Sequence, residues 1–326
     1  MSWVLLTVGS YFFSALSQTV DKVLLRARIP SAATYAFYSG ITSVFVVILL
    51  PFLGRLTDLF LPPTIIALSL FVGIIFVAAI YFLYFSLKRC DVSRIVPFIG
   101  GGIPVFLLIF SYLFWGGTFY LRDLISIVLF IVGGIVLTTE IRQEGSPDSL
   151  VGHLVGSGGY RFQICQFDAR HGILAALCAA FFFALTFFLT KEVFLSSPGF
   201  IPEFFWIRMG SALGALLMLI IPRFRAKIFL TSPYISRSSF GMLFGNKIIG
   251  ATSFILLNYA FYVAPSQTHV VIINALKGAE HLFVFIFSVG LSLFVPHILR
   301  EDIDRHTLIL KSTGILLIVT GFWFLQ

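Results

Sequence analysis

Charge is what this sequence has least of: Lys, Arg, Asp and Glu together make up 11% of its 326 residues, where a soluble domain holds about 25%. With 59% of the chain hydrophobic, that shortage excludes a water-solvated globular domain. Cysteine is scarce too. Cys90, Cys165 and Cys178 form an odd set without CxxC spacing, which suggests neither a disulfide framework nor a zinc site. The motifs HExxH, GxSxG and GxxxxGK[ST] are missing, as is a carboxylate pair on a soluble loop, so we expect no enzyme and no cofactor. Ten-residue segments of alternating polarity, the mark of a membrane β-barrel, are missing as well.

What is there is a series of long apolar runs. Ten are of spanning length: 2–21, 34–53, 64–87, 95–115, 122–140, 171–193, 202–221, 239–263, 268–295 and 307–325. Most breaks between them carry Pro, Gly or charge. The pattern predicts an all-α integral membrane protein in the lipid bilayer of the cell inner (plasma) membrane. Its first run enters the apolar pattern without a basic segment, so it reads as a spanning helix rather than a cleaved signal. The interval 141–170, rich in Gly and Ser, divides the chain into five-run halves, 1–140 and 171–326.

The halves resemble one another. SALSQTVDKVLL (14–25) lies against ALTFFLTKEVFL (184–195), LLPF (49–52) against IIPR (220–223), and Tyr84 against Tyr259. Because five is odd, such halves enter the membrane from opposite sides, and we expect ten transmembrane helices in two inverted repeats. The net charge of +8 is spread over short loops, where it sets topology rather than binding nucleic acid. Loops after the odd runs hold sixteen Lys and Arg and those after the even runs three, Arg55, Arg122 and Lys191. This predicts a cytoplasmic linker and both termini outside.

Candidate site residues follow from polar groups inside these runs. Run 9, THVVIINALKGAEHLFVFIFSVGLSLFVP, carries Asn274, Lys277, Glu280 and His281. On one continuous helix they would share an arc of about 120°. A charge at mid-membrane costs about 2.5 to 3.5 kcal/mol, so such residues are expected to face the bundle interior. Lys277 can attract an anionic solute, and Glu280 and His281 can exchange a proton; the structural alternative is a Lys277–Glu280 ion pair. Run 1 has a stripe of Thr7, Ser10, Ser14, Ser17, Gln18 and Asp21, serving either helix packing or a cavity wall. Run 8 adds Lys247, Asn258 and Tyr259, and run 7 adds Arg208; Lys247 and Arg208 can point inward or snorkel to the surface. In run 4, Pro97, Gly100, Gly101, Gly102 and Pro104 predict a kinked or unwound helix that acts as a gate. His297, Glu301, Asp302, Asp304 and His306 form a charged loop that we read as solvent-facing, with no metal.

Three stretches carry a family likeness: SLKRCDVSRIVPFIGGGIPVFLLIFSYLF followed by LISIVLFIVGGIVL, the run NALKGAEHLFVFIFS, and the tail LKSTGILLIVTGFWFL. With the two five-run halves, they resemble the EamA family of the drug/metabolite transporter superfamily. The chain departs from that pattern where a GlyGlu pair is usual, since Thr118 follows Gly117. The resemblance implies a ten-helix secondary carrier, with runs 5 and 10 outside a central cavity and both termini in the cytoplasm, opposite to the charge count. It leaves three functions open: export of small polar or amphiphilic metabolites, with a proton or counter-solute; carriage of anionic phosphate-bearing solutes such as sugar phosphates or nucleotide sugars; and a non-transporting membrane subunit or receptor. A monomer and a homodimer both fit.

Overall fold

The computed structural model describes residues 2–24, 31–52, 56–89, 92–116, 119–138, 169–197, 199–230, 237–294 and 305–325; the linker and the side chains of Asp21, Pro97 and Lys247, all named above, lie outside the described residues. Every described segment is helical or a short connection. In chain order the helices are α1 (Ser2–Leu24), α2 (Ala32–Ile41), α3 (Pro63–Leu87), α4 (Val92–Trp115), α5 (Leu121–Thr138), α6 (Ala169–Ser196) and α7 (Ile201–Met218). They continue with α8 (Pro222–Leu230), α9 (Arg237–Val263), α10 (Gln267–Ala275), α11 (Gly278–Phe294) and α12 (Arg305–Leu325). A 3₁₀ helix, Thr42–Phe52, prolongs α2. In hydrocarbon every backbone N–H and C=O needs an internal partner, which is why the apolar runs are helical almost throughout.

Among the described residues, four helical segments are long and apolar enough to cross a membrane: Ala32–Phe52, Pro63–Leu87, Phe98–Trp115 and Arg170–Ser196. A fifth is the pair α7 and α8, bent by 98° at the Ile220–Pro222 corner. The outer surface suits lipid, with Phe45 68%, Phe114 70% and Trp323 71% exposed. Polar side chains turn inward: Ser10, Lys191, Glu203, Gln267, Asn274 and Glu280 are all buried. The inversion relative to a soluble protein marks a multi-pass membrane protein.

The core is assembled mainly between the first five helices and the last seven. α1 packs along α9 and α11, α3 along α6 and α7, α4 along α6 and α10, and α5 along α12 and α11. Small residues set the closest approaches. A Cβ on Gly73 of α3 would lie 2.2 Å from the Ile207 carbonyl oxygen of α7, and one on Gly210 would lie 2.3 Å from the Leu70 carbonyl oxygen. Only glycine allows the two backbones to touch there. Between α1 and α9 the serines do the same work by exchanging bonds: Ser10 Oγ donates to the Ser253 carbonyl at 2.8 Å, and Ser253 Oγ to the Ser10 carbonyl at 2.9 Å.

Three expectations are corrected. Run 4 does not unwind: α4 is helical from Val92 through Pro97, Gly100 and Pro104 to Trp115. Its glycines provide room instead, since a Cβ on Gly101 would meet Ile131 of α5 at 3.0 Å and one on Gly102 would meet Ala180 of α6 at 3.1 Å. Run 9 is the interrupted one, split into α10 and α11 at Leu276–Lys277. Lys191, counted above as a loop cation, is likewise a helix residue of α6, 1% exposed. It donates to the carbonyls of Phe261 at 2.9 Å, Tyr262 at 3.4 Å and Ala264, which places its charge at the negative end of the α9 dipole.

Candidate functional site: the break in the ninth apolar run

At the break the backbone ladder shortens from four-residue to three-residue steps. Lys277 N donates to Asn274 O at 3.2 Å, Ala279 N to Leu276 O at 2.8 Å and Glu280 N to Lys277 O at 3.0 Å. This tightening leaves the Ile273 carbonyl without its usual intrahelical donor, because that donor would be Lys277 N. Tyr11 of α1 fills the place, donating from its hydroxyl at 2.8 Å while 4% exposed. Gly278 explains the position of the break from the other side. A Cβ there would meet the Phe130 carbonyl oxygen of α5 at 2.8 Å, so only glycine lets α5 press against this turn.

The break redirects the polar residues that one continuous helix would have put on a single arc. Glu280, in the first turn of α11 and 2% exposed, faces α1, where it accepts from Ser14 Oγ at 2.5 Å and from Gln18 Nε2. A carboxylate in a first helical turn is also favoured by the helix dipole. Lys277 and His281 face the other way. With Gly100 and Gly101 of α4 and Phe130 and Gly134 of α5, they line a small, partly open pocket of about 20 Å³. No ion pair joins Lys277 to Glu280; Glu280 is held by α1 instead. The site therefore has two sides, a buried carboxylate bound to α1 and a pocket edged by a cation and an imidazole against α4 and α5.

The other sequence candidates are placed as follows. Asn274 is 4% exposed and donates to Val270 O one turn back at 2.9 Å, and Asn258, also 4% exposed, donates in the same way to Phe254 O at 2.9 Å. Tyr84 packs on Tyr35 of α2, ring centroids 3.8 Å apart and planes tilted by 32°. Tyr259 packs against Phe200 and Tyr262 at 5.1 and 5.9 Å. The α1 stripe divides: Ser10 and Ser17 meet α9, while Ser14 and Gln18 meet Glu280. Sequence reasoning did not single out Tyr11. Its signal was spacing, for Tyr11, Ser14 and Gln18 stand at i, i+3 and i+7, one helix face.

Comparison with known proteins agrees with this architecture. A protein solved as a crystal structure shares the fold at a TM-score of 0.65 and 15% identity, over 100% of this chain and 96% of the other. No curated protein matches the sequence. The profile of the EamA-like transporter family matches residues 1–139, the stretch holding Tyr11, Ser14, Gln18, Gly100 and Gly101. Residues 1–139 thus match the EamA-like transporter family, and the chain is a multi-pass membrane protein.

Proposed function

We propose that the chain is a secondary transporter that exports small polar or amphiphilic metabolites by alternating access around the α10–α11 break. The observation carrying this reading is Glu280, a carboxylate buried at a helix break, bound by Ser14 and Gln18 and flanked by a pocket containing Lys277 and His281. A break of this kind exposes backbone ends and charge at membrane depth, which is tolerated where a solute pathway uses them.

In this reading the ten apolar runs are ten spans in two inverted halves, 1–140 and 171–326. The packing supports the repeat: α1 lies on α9 as α6 lies on α3, and α1 lies on α11 as α4 lies on α6. Two pairings lack close counterparts. α3 packs closely along both α2 and α7, whereas among the described residues α9 meets α7 only through side chains and has no comparable packing on α2. Two halves that are alike but packed unlike each other suit a carrier held in one of two exchangeable states. Gly100 and Gly101, beside the pocket, let α4 and α5 adjust around the solute. A proton moving with the solute would use Glu280 and His281.

The test is transport by the full-length protein in liposomes, using solutes first selected from metabolite pools by thermal shift. Glu280→Gln and Lys277→Ala are expected to slow flux, and Glu280→Gln to flatten its dependence on pH. Unchanged rates and pH profile in both variants would remove the site from the pathway. A ligand that stabilises the protein yet never crosses the bilayer would favour a receptor.

A further inference from the structure

A second charged position stands apart from the break. Arg208 lies within α7, its guanidinium carbon 4.6 Å from the ring centre of Phe254 on α9 and 5.6 Å from that of Phe76 on α3. Phe76 is near the middle of α3 (Pro63–Leu87), the longest clear span in the first half. Arg208 therefore stays at membrane depth instead of snorkelling to a surface, which also places lipid headgroups half a bilayer away.

Its surroundings give it faces but no acceptors. No carboxylate pairs with it and no carbonyl accepts from it among the described residues. Glu203, the acid on the same helix, is buried against Gly199, where a Cβ would meet its Oε2 at 3.2 Å. The two rings satisfy part of the cation's electrostatic demand through their faces. The five N–H donors at the guanidinium edge remain, and in a low-dielectric setting they call for an acceptor.

The neighbouring helices approach α7 unequally. α7 touches α3 backbone to backbone at Gly73 and Gly210. Toward α9 it reaches only by side chains: Phe204 to Phe254 at 6.1 Å and Phe200 to Tyr259 at 5.1 Å, besides Arg208 itself. Arg208 is half-buried between them. A planar, permanently charged fork between aromatic walls suits an oxyanion, which it can grip with two parallel hydrogen bonds, and the walls suit an apolar or planar body attached to that oxyanion.

We infer that Arg208 is a solute-anchoring residue for an organic anion, its guanidinium binding a carboxylate or phosphoryl group while Phe76 and Phe254 hold the attached apolar body. This rests on the transporter reading and names the class of solute carried.

Two oxyanion probes, phenyl phosphate and benzoate, test it against benzylamine and phenol of the same ring. Binding to the purified full-length protein is measured by thermal shift and calorimetry. Both oxyanions are expected to bind, with affinity weakened about tenfold or more in Arg208→Gln and less in Arg208→Lys, which keeps charge but loses the fork. Equal binding of benzylamine, no binding of either oxyanion, or full affinity in a monodisperse Arg208→Gln protein would overturn the proposal. Liposome flux of phenyl phosphate separates the two readings. Arg208-dependent binding without flux leaves the anion site standing and defeats the transporter; flux of another solute undiminished in Arg208→Gln does the reverse.

Discussion

The Tyr11 hydroxyl on α1 donates at 2.8 Å to the Ile273 carbonyl on α10, the one four residues before Lys277 and just before the break. A side chain from one helix thus replaces a backbone bond in another. Tyr11→Phe keeps the ring and removes only the donor, leaving a buried carbonyl unsatisfied. It is expected to destabilise the protein by about 1 to 3 kcal/mol, read as a lower thermal midpoint in detergent. A wild-type midpoint would show that the break does not depend on α1 at this point.

Ser14, Gln18 and Glu280 should behave as one unit. Ser14→Ala is expected to cost about 1.5 to 3 kcal/mol, the range for hydrogen bonds to a charged group. In a Glu280→Gln background the loss should shrink, giving a coupling energy of about 0.5 kcal/mol or more in a double-mutant cycle. Strict additivity of the two changes would place Ser14 outside the Glu280 cluster.

The α3–α7 seam predicts an unusual penalty for adding one methyl group. Gly73→Ala and Gly210→Ala each drive a Cβ into backbone atoms at 2.2 to 2.3 Å, and backbone cannot step aside as a side-chain tip can. A loss of about 1 to 3 kcal/mol or more is expected for each. Gly9→Ala, where a Cβ meets nothing within 4 Å, should be neutral or stabilising by up to about 1 kcal/mol through helix propensity. Comparing the three thermal midpoints checks the geometry directly.

Lys191 predicts a local effect. Lys191→Met keeps the apolar stem and withdraws the cation from the carbonyls of Phe261, Tyr262 and Ala264. Faster hydrogen exchange is expected around the α9–α10 turn, with a loss of about 1 to 3 kcal/mol overall. Unchanged exchange there would show that other groups cap α9.

Much of the layout was readable from hydropathy and punctuation. The apolar runs fell where helices formed, because a helix is the one way an isolated apolar segment keeps its backbone satisfied in lipid. The position of the break was not readable. Run 4 advertised one with Pro97, three glycines and Pro104, and run 9 advertised none, with a helical pattern across Lys277. The cause is tertiary: the Phe130 carbonyl pressing on Gly278 and the Tyr11 hydroxyl taking the Ile273 carbonyl come from helices far away in sequence. For the same reason the arc of Asn274, Lys277, Glu280 and His281, correct for a continuous helix, divided between two sides. Arg208 was legible as a charge within an apolar run, but its direction depended on Phe76 and Phe254, which only packing brings to it.

The Ser10–Ser253 exchange has a consequence for how the protein is made. Ser10 enters the bilayer 243 residues before its partner is synthesised, and Gly73 waits likewise for Gly210. Until α7 and α9 arrive, the first helices present hydroxyls and bare backbone grooves to lipid or to whatever escorts them there. The finished molecule is in this sense a clasp whose second arm is forged last, and its earliest helices gain their final neighbours only when the latest ones insert.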